Sequence, residues 1–432
     1  MISTSRFSRL AGTGGAEVSL TRDDCRDLLS AALARIGPVE RVLVVPPDFT
    51  RYHSGAGELT CLVDELLRDA EVDILPALGT HSPMTPHQLE VMFPGLDSSR
   101  FRVHDWRHDL VRLGVVPGDY VREVSEGIVS YEVEIAINRL VAEGGYDLIL
   151  SIGQVVPHEV IGLANQNKNL FVGVGGNDII NKSHFLGAAY GMERIMGRAD
   201  TPVRRVFNYA AEHFASHLPI CYALTVRERG ADGGLHTRGF YLGDDQETYL
   251  EAARLAQRVN LDLLDAPLRK VVVWLDPEEF KSTWLGNKAV YRTRMALADG
   301  GELIVLAPGL REFGEDPTID RLIRQYGYRG TPATLAAVER EAELGANLSA
   351  AAHLIHGSSE GRFSITYAPG QLSREEIEGV GFGYLNYQEA MARYQPERLT
   401  DGYNTLPNGE EIFFISNPAL GLWALREAFA KG

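Results

Sequence analysis

The chain has 432 residues, 45% hydrophobic and 23% charged, a globular composition too long for one ordinary core and suited to two domains. A formal net charge of −16 argues against a surface that binds nucleic acid or anionic membrane without specificity. There is no basic stripe with interleaved aromatics, no apolar run near the ~20 residues of a membrane span, and no basic-then-apolar leader, so a cytoplasmic protein without nucleic-acid or membrane partners is expected.

Residues 41–51, RVLVVPPDFTR, are a continuous apolar run closed by Pro-Pro-Asp and read as a buried strand ending in a polar turn. Helical spacing follows over 57–70, and VDILPALGTH (72–81) is a second strand ending in Gly-Thr-His. A helix then starts with Thr85 as N-cap and Pro86 in its first position. YDLILSIGQVVPH (146–158) repeats the order of apolar strand, small and polar residues, and histidine. Beyond a long helix at 246–266 come a strand at 267–279, a helix, Gly-Gly turn and strand over 287–310, and a closing strand and amphipathic helix. Cys25 and Cys61 fall on helices and Cys221 opens a strand; with no CxxC, all three read as small core residues in a reducing compartment.

Strands alternating with helices predict an α/β fold: two α/β domains with mainly parallel sheets and the active site in the cleft between them. The first domain is expected over 1–267 and the second over 268–415, with the closing helix (416–432) packing back on the first. In such sheets functional groups gather at the carboxyl ends of strands. Asp48, Arg51, His81 and His158 each lie just past such an end, so several βα-turns supply polar residues to one rim.

GVGGN (173–177) is not a dinucleotide fingerprint, and no phosphate-binding P-loop pattern is present. DFTR (48–51) reads either as an Asp–Arg salt bridge closing its own turn or as an arginine fork offered to a carboxylate or phosphate. One histidine after a strand is usually a cap or core residue. Two in equivalent places, His81 and His158, suit alternating acid and base. Lys168 follows His158 by ten residues and His184 follows Lys168 by sixteen, which is no familiar zinc spacing.

As a set these residues resemble the lactate racemases and related 2-hydroxyacid racemases and epimerases that use the nickel-pincer nucleotide. DFTR is similar to the family's Asp-x-Thr-Arg turn; LGTH with His81, PH with His158, then Lys168, His184 and Lys288 keep its order over roughly residues 40–310. The resemblance implies a pyridinium mononucleotide with two thio-acid arms, its nickel held by carbon and two sulfurs. Asp48, Phe49, Thr50 and Arg51 would line the cofactor, Lys168 would meet it as a thioamide, and His184 would complete the nickel's square plane. Arg51 and Lys288 would orient the substrate carboxylate, with His81 and His158 as acid and base while hydride leaves and re-enters C2. Partners implied are a small 2-hydroxyacid and the proteins that make and load the cofactor.

The chain departs from the pattern in three places: Tyr52 and His53 follow Arg51 where the family often has Pro, and two further changes bear on the cofactor and the substrate. Before the lysine the family often has Gly-x-Ser-Gly-Gly-x-Lys, where this chain has GLANQNK; before Lys288 a Tyr-Gln pair is common, where Trp284 and Leu285 stand here. The last change predicts a 2-hydroxyacid with a larger, less polar side chain than lactate. Two other classes remain open: a metal-dependent hydrolase built on His81, His158 and His184, and a non-catalytic carrier of the nickel nucleotide.

Overall fold

In the computed structural model, which describes residues 5–230, 233–419 and 421–431, the run at 41–45 is an interior strand covered on both faces. Val42 and Val44 enter one apolar cluster and Leu43 and Val45 the other, because successive side chains of a strand point to opposite faces. The strand belongs to a six-stranded sheet made of β1 (Ala11–Gly14), β2 (Arg41–Val45), β3 (Glu71–Ile74), β4 (Leu148–Gln154), β5 (Ile220–Arg229) and β6 (Leu235–Gly243). Its order is β1-β6-β5-β4-β2-β3; β3, β2, β4 and β5 run parallel, while β6 is antiparallel to both of its neighbours.

Leu29 and Ala32 of α1 (Arg22–Ile36) and Leu59, Leu62 and Val63 of α2 (Ala56–Leu66) cover one face. α3 (Asn177–Tyr190), α4 (Pro202–Ala210) and α5 (Gln246–Val259) bring Ile179, Val203, Phe207, Tyr249 and Leu255 to the other. The expected start of the helix at Pro86 is met: Thr85 accepts from the Gln88 N–H while the Gln88 side chain accepts from the Thr85 N–H.

Chain contacts divide the protein into one unit of Met1–Leu186 with Ile195–Asn260 and another of Gly187–Arg194 with Leu261–Gly432. The second unit carries its own six-stranded sheet, from β7 (Leu268–Trp274), β8 (Leu297–Ala307), β9 (Ser364–Pro369), β10 (Gly383–Tyr384), β11 (Gly402–Thr405) and β12 (Glu411–Ile415). The order is β10-β9-β8-β7-β12-β11, parallel except for β11. The expected class, two α/β units with mainly parallel sheets, is what the chain forms.

Three local expectations change. The helix foreseen over 246–266 ends at Val259, and Asp262–Leu264 instead pairs in parallel with Trp423–Leu425 of the C-terminal segment. The helix foreseen from 287 shrinks to the turn Lys288–Tyr291. Gly300 and Gly301 lie inside β8, at a bulge where Leu268 opposes Leu297 but Lys270 already opposes Glu302; Gly300 takes φ +73°, which its missing Cβ permits. Among the described residues no helix is long and apolar enough to cross a membrane.

Candidate active site

β4, β2 and β3 are parallel neighbours, so their carboxyl ends share one edge, and a bridge between Pro47 and Ala77 carries the pairing past the strands. Asp48 is buried at that edge and caps the turn Phe49–Ser54, accepting from the Thr50 N–H at 3.1 Å and the Thr50 hydroxyl at 2.5 Å. Its second oxygen stands 2.6 Å from Nδ1 of the exposed His81. Burial pushes the Asp48 carboxyl up, but the hydrogen bonds from His81 and Thr50 and the charge of Arg51 outweigh it and leave it below the ordinary range. An ionised Asp48 fixes the proton on Nδ1 of His81 and leaves the lone pair on Nε2, the arrangement of a base oriented by a carboxylate.

Arg51 does not close the turn on Asp48. Its guanidinium reaches the Thr50 carbonyl at 3.3 Å and Thr50 Oγ1 at 3.4 Å and is otherwise exposed at the rim. Phe49 is half-buried against the core cluster of α1 and α2.

His158 is buried, and its Nδ1 accepts from the Val160 N–H at 3.1 Å, which puts the proton on Nε2. Burial, together with the positive charges of Lys168 and Arg51, holds its pKa well below that of a free histidine, with Glu159 opposing. The two histidines therefore differ at rest: His81 presents a lone pair and His158 an N–H.

Between them in sequence, the turn before Lys168 carries the departure noted above. Asn165 and Gln166, at the two positions where the family pattern has Gly-Gly, take φ +67° and +54°. The left-handed backbone that glycine would adopt freely is kept by two residues with side chains. Lys168 sits deep yet keeps some exposure, and burial followed by the nearby Arg51 charge lowers its pKa to about 8. Asn169, buried next to it, donates to the Val45 carbonyl at 3.0 Å and to Ser151 Oγ at 2.9 Å, tying the turn to the end of β2 and the middle of β4. On α3, His184 has Nδ1 2.6 Å from the Ile180 carbonyl, and burial pushes its pKa down to about 4. It is thus a neutral imidazole whose N–H donates to backbone and whose Nε2 keeps the lone pair, the usual state of a metal-ligating histidine.

The site residues Asp48, Thr50, Arg51, His81, His158, Lys168 and His184 all lie in the first unit. Lys288 is in the second, with Nζ 3.9 Å from Glu279 and over the Phe280 ring at 5.3 Å. The Trp284 ring packs at 4.6 Å and a tilt of 34° against buried His353, whose Nε2 stands 2.8 Å from the Tyr328 hydroxyl. Among the described residues no three His, Cys, Asp or Glu side chains gather into a metal-holding set, so His81, His158 and His184 do not form the protein-only site a hydrolase would need. Sequence reasoning missed Asn169 and Arg204. Asn169 directly follows the lysine; Arg204 was signalled only as an arginine flanked by core residues Val203, Val206 and Phe207.

The carboxyl edge of a parallel α/β sheet, where functional groups of such folds gather, thus carries histidines, a recessed lysine and an arginine. Residues 30–194 match the family model of the lactate racemase N-terminal domain. Over that stretch the chain is similar to the lactate racemase family. Two solved structures share its fold. One is a protein from Thermotoga maritima, with TM-score 0.79 and 24% identity, covering 96% of this chain and 100% of that one. The other is the lactate racemase apoprotein from Thermoanaerobacterium thermosaccharolyticum, with TM-score 0.70 and 15% identity, covering 97% of this chain and 95% of that one. No curated protein matches the chain in sequence.

Proposed function

We propose that the protein inverts C2 of a 2-hydroxyacid, as a racemase or epimerase working with a nickel-pincer nucleotide. The observation that carries this reading is the pair of unlike histidines on one sheet edge, beside a lysine amine and a neutral imidazole. The residues fit the cofactor. His184 offers one nitrogen, which suits a metal whose other ligands come from the nucleotide itself. Lys168, with its pKa near 8, is unprotonated more often than an exposed lysine and so suited to join a thio-acid. Thr50 and Arg51 present a hydroxyl and a fork of donors at the rim, whereas Asp48 is occupied with His81 and Phe49 with the core.

When bound, the nickel-pincer nucleotide supplies a site that accepts hydride from C2 and returns it to the opposite face. The chain's own residues handle the substrate and the proton. Arg51 pairs with the carboxylate, and Lys288 keeps the part the family pattern gives it as a second cation. Nε2 of His81 takes the hydroxyl proton while the N–H of His158 donates a hydrogen bond to a substrate oxygen. For the opposite enantiomer the roles exchange, which requires Nδ1 of His158 to release the Val160 N–H and take up a proton; Glu159, 3.6 Å from that nitrogen, is the carboxylate placed to hold it. Trp284 narrows the substrate to larger, less polar side chains, and the loading partners are the proteins that make the cofactor in the same cytoplasm.

The test is a panel of single enantiomers (lactate, malate, gluconate, 2-hydroxyisocaproate, phenyllactate) with protein from a host that makes the cofactor. Loss of optical purity is expected, fastest for the apolar acids. Preference for malate or gluconate overturns the pocket argument. Full nickel loading without loss of optical purity on any acid makes the protein a carrier instead.

A further inference from the structure

Arg204 is one of the largest fully buried side chains, and it lies not on the substrate edge but beneath the Lys168 turn. Its guanidinium donates to the carbonyls of Leu163 at 2.7 Å and Asn165 at 3.2 Å and to the Gln166 side-chain oxygen at 3.2 Å. The Tyr249 ring lies 4.2 Å below it, and among the described residues no carboxylate pairs with it. A buried cation without a counter-charge is a costly way to fill space, and a methionine would pack there with less penalty. The three oxygens it grips belong to the stretch that holds Asn165 and Gln166 at positive φ, a conformation that residues with a Cβ abandon unless the surroundings hold it. Asn167 is clamped separately, by the Tyr222 hydroxyl at 2.5 Å and Asn208 at 2.9 Å.

We propose that Arg204 is the positioning residue of the Lys168 turn: its fork holds the left-handed pair Asn165–Gln166 and thereby sets where the lysine amine stands. The role of that amine rests on the reading given under Proposed function; the clamp does not, and it can be tested on protein without cofactor. Arg204 sits on α4, so the geometry makes that helix the part of the fold that places the lysine from below, as Asn169 does from the sheet.

Hydrogen exchange on the cofactor-free full chain tests this. The turn closes through the N–H of Lys168 to Asn165 and of Asn169 to Gln166. Arg204→Met and Arg204→Lys are each expected to speed exchange of those two amides by at least tenfold while β4 and β5 stay within threefold. The rate of Lys168 acetylation, read against Lys281 across pH, is expected to shift in both variants. Lysine keeps the charge but not the fork, so full rescue by Arg204→Lys would overturn the clamp. Unchanged protection at 168–169, or equal loss throughout the sheet, would overturn it too. Should both variants fail to fold, Gln166→Ala removes one acceptor and is expected to speed the same two amides by threefold or more. Asn165→Gly/Gln166→Gly, with Arg204 in place, is expected to keep them within threefold of wild type. The opposite order of those two results would sink the proposal. A surviving clamp alongside a failed enantiomer panel would mean that only the functional reading is wrong.

Discussion

At the scale of single residues, the proposed chemistry turns on proton placement. His81 owes its outward lone pair to Asp48, and His158 owes its N–H to the Val160 amide. His81→Ala and His158→Ala are each expected to lower racemisation by about 10²–10⁴-fold without unfolding the chain, the usual cost of a lost acid or base. Steady-state rates on the true substrate, alongside circular dichroism, check this; near wild-type turnover in either variant removes the two-histidine mechanism. Asp48→Asn is expected to cost as much as His81→Ala, because an amide N–H facing Nδ1 would push the proton onto Nε2. If Asp48→Asn keeps most of the activity, the carboxylate serves only the Thr50 turn.

At the scale of elements, two predictions separate local preference from packing. Gly57 lies in α2, where helix propensity alone favours alanine. A Cβ there would stand 2.0 Å from the Met92 carbonyl oxygen, and backbone cannot yield as a flexible side chain can. Gly57→Ala is therefore expected to destabilise the first unit rather than strengthen it, and a raised thermal midpoint would contradict the close approach. In the second unit, Lys270 of β7 sits 2.7 Å from both Glu302 and Glu410, and Arg393 reaches Glu410 at 2.7 Å. Burial opposes ionisation of Glu410, but the bonds to Lys270 and Arg393 prevail and hold its carboxyl at about 2, below the 4.5 of a free glutamate. A lowered carboxylate value stabilises the fold fully above pH 4.5 and loses that contribution as pH falls from 4.5 toward 2. Glu410→Gln should thus differ from wild type in the urea midpoint of β12 amide exchange at pH 6, and the gap should close by pH 2 to 3. A gap independent of pH would mean the side chain matters for packing and not for charge.

These elements also mark what the sequence could tell. The strand–turn–histidine units were legible because a run such as RVLVV can bury itself only in a sheet covered on both faces, and Thr85-Pro86 announced its helix by local chemistry. The left-handed Asn165–Gln166 pair was not legible, since what holds it is Arg204, far along the chain on another helix. The same cause overextended the helix at 246–266: Asp262–Leu264 is a strand only because Trp423–Leu425 arrives beside it. Asp48 looked like a partner for Arg51 three residues on, and the better partner, His81, comes from the next strand's turn.

For the molecule as a whole, the decisive measurement is what it carries when made in a host that produces the cofactor. Wild type is expected to retain nickel through desalting and His184→Ala to lose it, because Nε2 of His184 is the one protein nitrogen assigned to the metal. Equal nickel in both would remove that assignment. The intact mass of active enzyme reports on Lys168: an added cofactor mass means a covalent link, and an unmodified mass means the amine holds the nucleotide by contact alone.

The chain passes between its two units after Leu186, Arg194 and Asn260, so residues 187–194 belong with sequence that is translated later. In that segment Glu193 meets Arg294 at 2.9 Å, a residue that leaves the ribosome a hundred positions afterwards. α3, which carries His184, begins in one unit and has its last turn in the other. A nascent chain released at Asn260 would hold every rim residue of the first unit, yet the end of its histidine helix would lack the residues it is built to join. If His184 holds nickel as proposed, vectorial synthesis would withhold the finished ligand until the second unit exists and keep half-made chains from capturing metal. Nickel retained equally by residues 1–260 and by the full chain would show that no such delay operates.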